Sequence, residues 1–192
     1  MLKSILMAGL VTSSLTISSG SYATAEKCFD WDQIIEVNLE FIDFINSIRR
    51  KGTHCGSTWY PAVQRVSYDH SGALMGAAVG HSAQMADRNF FSHWNPYMQT
   101  CTGTRADHFG YQGHCVGENI TAGTYKDTIY EAFVSLKNSP GHCANMMNPS
   151  YQHVGIGCAQ KEDSNYGFYW TMVLGFPGQC KEKTSEFDCV KK

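Results

Sequence analysis

The sequence lacks the local signatures of several common catalytic sites. It contains no HExxH, no GxSxG and no glycine-rich loop followed by lysine, which are typical of zinc proteases, serine hydrolases and phosphate-binding enzymes. It also has no CxxC pair, so a zinc ribbon or a thioredoxin-type redox site has no local support. Any catalytic or binding site must therefore be assembled from residues that lie far apart in the chain.

Long runs of one kind of residue are also missing. The 15 basic and 17 acidic residues are scattered and give a formal net charge of −2, and no Lys/Arg block is long enough to follow a phosphate backbone. We therefore expect no nucleic-acid partner. No segment reaches the roughly 20 apolar residues that a membrane span needs. The 192 residues, 43% of them hydrophobic, suffice for one sizeable core.

The N-terminus has the pattern of a signal peptide. Lys3 supplies positive charge, residues 5–17 form a short apolar segment, and Ala23, Thr24 and Ala25 give an A-x-A cleavage pattern. We therefore expect residues 1–25 to be removed on export. Residues 26–192 are expected to form a single domain, with a short cysteine-containing extension at its C-terminal end, in a secreted or periplasmic protein.

The cysteines that follow this segment are even in number. They stand at positions 28, 55, 101, 115, 143, 158, 180 and 189, and in an exported chain such a set favours disulfide bonds. Spacing alone leaves the pairing open, although Cys101–Cys115 and Cys180–Cys189 would each close a short loop. A thiol nucleophile at Cys143 is disfavoured because a paired sulfur cannot attack.

Apolar periodicity predicts three helices. The first runs from Trp31 to about "RRKG", the second covers residues 71–90 with Asp69 or Ser71 as N-cap, and the third covers Lys126–Lys137. A further helical turn is expected at "TRADHFG", and the Gly- and Pro-containing segment after the first helix is expected to be a long connection.

Two β-rich segments close the domain. "HVGIGCAQ" and "GFYWTMVLGF" are separated by the polar "KEDSNY", which is a hairpin signal. Helices followed by an antiparallel hairpin indicate an α+β domain in which helices pack on a central antiparallel sheet.

Three titratable residues stand beside turns at the edges of predicted elements: His93 in "NFFSHWNP", Glu118 in "GHCVGENI" and His142 in "SPGHCANMMNP". Two imidazoles and a carboxylate can bind zinc or perform acid–base chemistry. Each also has a structural alternative, since a lone histidine is more often a hydrogen-bonded structural residue and a glutamate can cap a loop.

Two other polar residues are given structural interpretations. His81 falls on the apolar face of the second predicted helix and is expected at a buried or rim position. Asn119 begins an N-x-T glycosylation sequon. We favour an unmodified Asn119, because a glycan next to Glu118 would obstruct a site there.

The ordered series of segments resembles the CAP superfamily of cysteine-rich secretory proteins, insect venom antigens, plant pathogenesis-related proteins and bacterial SCP-like relatives, and most strongly the bacterial type. The resemblance covers about residues 41–177, nearly the whole mature domain. Its segments are "NSIR", "CGSTWYP", "HSAQMADRNFFSH", "GYQGHCVGENITAG", "SPGHCANMMNP", "HVGIGC" and "YWTMVLG".

The resemblance implies an α-β-α sandwich with a central cleft. In that family two histidines and one or two glutamates line the cleft, which binds zinc in some members. Carried over by motif, the histidines are His93 and His142 and the first glutamate is Glu118. The resemblance to bacterial relatives also implies a Cys55–Cys143 bridge that would hold the His142 segment near the end of the first helix.

The chain departs from the animal and plant pattern at the second glutamate. The family places that residue in a W-x-x-E setting on the helix before the second histidine. Here Phe133 stands near the tryptophan position, Leu136 stands where the glutamate would fall, and Glu131 is out of register. A mechanism that needs two carboxylate bases is therefore not expected.

The leading interpretation is a non-enzymatic binding module that acts outside the cell. His93 and His142 would bind a divalent metal such as Zn²⁺, and Glu118 would orient one imidazole or a bound water. The family also implies a lipid or sterol ligand. Apolar residues near the cleft motifs fit that expectation as well as a role in the core: Phe90, Phe91, Trp94, Tyr97, Met98, Met146 and Met147.

Two alternatives remain open at this point. In the first, the protein is a metal-assisted, peptidase-like hydrolase in which Glu118 is the catalytic base. Two firm protein ligands are fewer than the three usual for catalytic zinc, which disfavours it. In the second, the protein is a disulfide-stapled interaction or virulence protein whose loops at residues 94–117 contact a host or cell-surface protein, and its cleft is vestigial.

Overall fold

The computed structural model describes residues 26–29, 31–113 and 115–178. The expected signal peptide of residues 1–25 lies outside the described residues. So does the C-terminal extension, with Cys180 and Cys189. The predictions for these two segments stay predictions.

The described residues form five helices and seven strands. The helices are α1 (Trp31–Lys51), α2 (Ala73–Arg88), α3 (Thr102–His108), α4 (Ile129–Asn138) and α5 (Pro140–Met146). The strands are β1 (Glu26–Lys27), β2 (Thr53–Cys55), β3 (Thr58–Tyr60), β4 (Ser67–Tyr68), β5 (Cys115–Ala122), β6 (His153–Lys161) and β7 (Gly167–Phe176). This mixture of helices and strands confirms the expected α+β class.

Four strands of the central sheet lie in the order β1-β6-β7-β5, and neighbours along this order are antiparallel. The predicted hairpin is β6 and β7, which pair from His153 with Gly175 to Lys161 with Gly167. The short strand β4 also pairs with β6, but in parallel, so the sheet is not wholly antiparallel. Strand β5 is the last strand in this order, and Glu118 lies at its centre.

Helices cover both faces of this sheet. Because successive side chains of a strand face opposite sides, Trp170, Met172 and Leu174 of β7 pack with α1 and α4, whereas Val173 packs with α2. The two apolar clusters are separated by the sheet, and the result is a three-layer α-β-α arrangement. It agrees with the architecture implied by the family resemblance.

Two glycines of β6 allow α2 to lie directly on the sheet. A Cβ atom at Gly155 would stand 2.2 Å from the backbone nitrogen of Met75, and one at Gly157 would stand 2.2 Å from that of Val79. Any larger residue would push the helix outward, and rigid backbone cannot yield as a flexible side chain does. The close approach brings His81, also on α2, within reach of β5.

The start of α2 uses both residues predicted as caps. Gly72 occupies the N-cap position, but Asp69 Oδ2 accepts a hydrogen bond from the Leu74 amide at 3.1 Å and Ser71 Oγ accepts one from the Ala73 amide at 3.2 Å. Side chains just upstream therefore satisfy amides of the first turn that have no partner within the helix.

Several elements differ from the sequence-based expectation. The segment expected to be a plain connection contains the β2–β3 hairpin. The third predicted helix, α4, begins three residues later than expected, because the Thr128 side chain accepts a hydrogen bond from the Glu131 amide and caps it. The single turn expected at "TRADHFG" is the seven-residue α3, and α5 and β5 were not predicted.

The structure contains two bridges with defined partners, Cys28–Cys158 and Cys55–Cys143. The first joins the N-terminal segment to β6, and the second is the bridge implied by the family resemblance. Cys101 and Cys115 are also disulfide-bonded. Within the described ranges, every helix is too short or too polar to cross a membrane.

Candidate functional site

The site is organised around Glu118, a carboxylate buried in the middle of β5. Its side chain is 2% exposed. Oε1 lies 2.8 Å from Nδ1 of His93, and Oε2 accepts a hydrogen bond from Nη2 of Arg105 at 2.6 Å. Both carboxylate oxygens are thus engaged by neighbouring side chains. The structure therefore brings two of the three predicted cleft residues, His93 and Glu118, into direct contact.

Arg105 holds the loop that carries His93. In addition to Glu118, its guanidinium donates to the backbone carbonyls of His93 at 3.2 Å and Thr100 at 3.0 Å. Arg105 lies on α3 and is buried. Because one rigid guanidinium binds both the carboxylate and this loop, it sets where His93 stands relative to Glu118.

His81 closes the inner wall of the site. It is fully buried on α2, as the sequence predicted, and its Nε2–H donates to the carbonyl of Ser92 at 2.9 Å. Nε2 also lies 3.9 Å from Glu118 Oε1. Burial lowers the pKa of His81 to about 4, against the raising effect of Glu118, so the ring is neutral at neutral pH.

Glu118 stays ionised despite its burial. Burial alone raises the pKa of the carboxyl, but the charges of His81 and Arg105 and the hydrogen bond from His93 outweigh it and lower the pKa to about 2. His81 contributes a charge only in the acid range, where it is protonated. At neutral pH the buried ion pair of the site is therefore the Glu118 carboxylate and the Arg105 guanidinium.

His142 reaches the site from the opposite helical layer. It lies in the first turn of α5, which begins at Pro140, a residue suited to the first helical position. Its carbonyl accepts a hydrogen bond from Asn119 Nδ2 at 2.9 Å, and Asn145 Nδ2 donates to Asn119 Oδ1 at 2.9 Å. Asn119 therefore fixes α5 against the edge strand.

Two consecutive residues of the edge strand β5 hold the two histidine segments. Glu118 and Asn119 are consecutive in β5 and face opposite sides, so one positions His93 and the other positions the His142 segment. Burial lowers the pKa of His142, and nearby His93 lowers it further. Beside His142, the Cys55–Cys143 bridge ties α5 to the β2–β3 hairpin. The disulfide also excludes Cys143 as a nucleophile.

Asn119 is fully buried. With its amide donating to His142 and its oxygen accepting from Asn145, it has no room for a glycan, which agrees with the interpretation favoured from the sequence. The sequence reasoning missed Arg105 and Asn119 as organising residues. A buried arginine has no local signature, and only a contact across 13 positions, from Arg105 to Glu118, reveals its role.

The apolar residues near the cleft motifs differ in exposure, with Phe90 and Trp94 half-buried. Met146 and Met147 are buried and belong to the core. Phe91, Tyr97 and Met98, in the loop that carries His93, are 41%, 58% and 58% exposed. These three exposed side chains are the ones most accessible to a ligand.

The chain belongs to the CAP family, since a sequence model described as "Cysteine-rich secretory protein family" matches residues 42–174. It is similar to the uncharacterized protein YkwD of Bacillus subtilis, with 33% identity over 98 residues that make up 51% of this chain and 35% of the relative. The chain thus matches about a third of that relative's length. This similarity supports membership of the bacterial type.

Two solved structures share the fold. An extracellular protein containing an SCP domain from Bacillus anthracis superposes with a TM-score of 0.58 at 23% identity, covering 77% of this chain and 44% of that one. An outer surface protein of Borrelia burgdorferi gives the same TM-score of 0.58 at 12% identity and covers 79% of this chain and 98% of that one. At these identities the likeness establishes the fold alone.

Proposed function

We propose that this protein is an exported, non-enzymatic binding domain whose cleft binds a divalent metal ion such as Zn²⁺ through His93 and His142. The observation that carries the proposal is the 2.8 Å contact between Glu118 Oε1 and His93 Nδ1. An ionised carboxylate can only accept, so Nδ1 bears a proton, and in the neutral imidazole the lone pair then lies on Nε2. Metal-binding histidines commonly have such a carboxylate partner.

His142 fits the same role. Its lowered pKa, caused by burial and by His93, favours the neutral imidazole that a metal requires. Among the described residues no group of three or more His, Cys, Asp or Glu side chains is arranged to hold a metal. The protein would thus supply two imidazoles, and a bound ion would act as a Lewis acid with positions open to water or a ligand, with modest affinity.

The geometry does not favour the hydrolase alternative. A general base works best with a pKa near the operating pH, whereas the pKa of Glu118 is lowered to about 2. Both of its oxygens are also engaged, by His93 and by Arg105. Leu136, at the position of the missing second glutamate, is buried in the core on α4, so no second base stands there.

The exposed side chains beside His93 favour a lipid or another apolar ligand as a second candidate. Phe91 and Tyr97 present aromatic surface within four residues of His93, and Met98 follows Tyr97. Exposed apolar side chains grouped around a polar site are typical of ligand-binding surfaces. A ligand held there would lie next to the proposed metal site.

Zinc binding tests the metal proposal. We expect purified, chelator-free protein to bind one Zn²⁺ in isothermal titration calorimetry, and His93→Ala and His142→Ala each to weaken binding by more than about tenfold, because each removes one of two ligands. The matched control is His70→Ala, which removes an exposed histidine outside the site. Native mass spectrometry of the same samples reports any lipid-sized adduct.

Two outcomes would contradict the metal proposal. One is zinc bound equally well by the wild type and both cleft variants, which would locate the metal elsewhere. The other is no zinc binding by a folded wild-type protein. Either result would transfer support to the interaction-protein alternative, with a host or cell-surface protein as partner.

Export is the second part of the proposal. It is supported by the signal-peptide pattern of residues 1–25, by the disulfide bonds of the described residues and by the description of the Bacillus anthracis neighbour as extracellular. We expect the protein recovered from the periplasm or medium of a bacterial host to begin at Glu26 and to contain no free thiol. Intact-mass spectrometry before and after reduction measures both. Recovery only from the cytoplasm, with Met1–Ala25 retained, would contradict this prediction.

A further inference from the structure

A polar pocket of about 420 Å³ lies beside β6, away from the edge strand β5. It is formed by α1, by residues 64–67 and by the start of β6. Strand β7 separates β6 from β5 in the sheet order, so this pocket is distinct from the cleft of Glu118. Its volume is within the range of small-molecule sites.

The wall of this pocket is held by buried side chains. The Asn46 amide donates to the Val66 carbonyl and accepts from the Val66 amide, both at 2.9 Å. Arg49 Nε donates to the Gln64 carbonyl at 2.6 Å, and the Ser67 amide donates to the Gln152 carbonyl at 2.8 Å. The backbone wall of the pocket is therefore preformed, and binding would order mainly exposed side chains.

The pocket presents one charge of each sign. Asp43 lies on α1 one turn before Asn46, and Arg65 lies on the opposing segment next to Val66. Neither side chain forms an ion pair with another residue in the described part of the chain. Opposite charges that are not paired with other residues complement a ligand that itself carries both charges.

Gln152 and His153 also line the pocket. The His153 ring turns to the opposite face of the sheet, since its Nδ1 lies 3.2 Å from the hydroxyl of buried Tyr111, which packs with α2. His153 therefore borders the pocket with its backbone. The Gln152 amide adds a donor and an acceptor, so the pocket offers hydrogen bonds between its two charges.

We propose that this pocket binds a small zwitterion of amino-acid or dipeptide size. Its carboxylate pairs with Arg65, whose planar guanidinium matches a carboxylate. Its ammonium group pairs with Asp43, and the Gln152 side chain hydrogen-bonds the atoms between. The proposal does not depend on metal binding in the cleft.

The test is a two-dimensional amide NMR titration of the full mature protein with three small probes. Glycylglycine carries both charges, N-acetylglycine only the carboxylate and glycinamide only the ammonium group. We expect saturable shifts at residues 64–67 and 152–153 with glycylglycine, and binding weaker by about tenfold or more for each singly charged probe. Asp43→Asn and Arg65→Gln should each weaken glycylglycine binding by about tenfold.

Both substituted side chains are exposed, so the variants should fold like the wild type. The control is Arg88→Gln, which removes an exposed arginine that stacks on Tyr97 away from the pocket, and it should leave glycylglycine binding unchanged. The proposal is overturned if glycylglycine gives no saturable shift at these residues. It is also overturned if N-acetylglycine binds equally well and Asp43→Asn has no effect, which would define an anion site instead.

Discussion

Arg49→Ala is expected to lower the free energy of unfolding by about 4 kcal/mol, the largest effect of any single substitution considered for this protein. Arg49 is fully buried on α1 and donates hydrogen bonds to four backbone carbonyls, those of Gln64, Met146, Asn148 and Tyr151. Truncation would leave buried carbonyls without donors and open a cavity.

The neighbouring residue provides a matched control. Arg50 is exposed, and its hydrogen bond goes to Asn46 of the same helix, so Arg50→Ala should change stability by less than about 0.5 kcal/mol. Arg49→Lys should fall in between, because an ammonium group cannot reach carbonyls spread over a planar fork. Urea denaturation with the disulfides intact measures all three. A loss for Arg49→Ala no larger than for Arg50→Ala would refute the structural role.

Glu118→Gln is expected to cost about 3 kcal/mol, because it removes the counter-ion of the buried guanidinium of Arg105 while keeping the side-chain volume. An uncompensated buried charge is far more costly than a lost surface pair. The control is Glu40→Gln, on the exposed face of α1, which should be nearly neutral. Equal stability of the two variants would contradict the predicted role of the ion pair.

The same carboxylate predicts how stability depends on pH. The pKa of Glu118 falls from 4.5 to about 2 on folding, and that of His81 falls from 6.5 to about 4. Each group binds fewer protons in the folded state, so their combined contribution is complete above pH 6.5 and is lost as the pH falls towards 2. Glu118→Gln should flatten the profile below pH 4.5, the ordinary pKa of this carboxyl. Denaturation at a series of pH values measures this, and an unchanged profile would contradict it.

The sequence predicted best those elements whose burial follows a simple period. Helices α1 and α2 each bury one face on the sheet, and strands β6 and β7 are almost continuously apolar. Strand β5 was missed because its buried positions include Glu118, Asn119 and Thr121, whose polar atoms are satisfied through contacts between distant segments. A buried polar strand resembles a loop until its partners are known.

The candidate site was predicted only in part. Motif resemblance located His93, Glu118 and His142, and the structure brings His93 and Glu118 into contact. The spacing of these residues in the sequence could not show that Arg105 donates a hydrogen bond to the second carboxylate oxygen of Glu118. Nor could it pair Cys28 with Cys158, because a bridge between residues 130 positions apart depends on the whole fold.

The Cys28–Cys158 bridge also bears on the order in which an exported chain can mature. A chain that emerges from a membrane N-terminus first exposes Cys28 before any other cysteine. Its native partner follows only after 130 more residues, and Cys55, Cys101, Cys115 and Cys143 emerge in the interval. Oxidation that keeps pace with translocation would therefore join Cys28 to a wrong sulfur first. Correct maturation of such a chain requires oxidation delayed until β6 has emerged, or a thiol–disulfide isomerase that exchanges the early pairs.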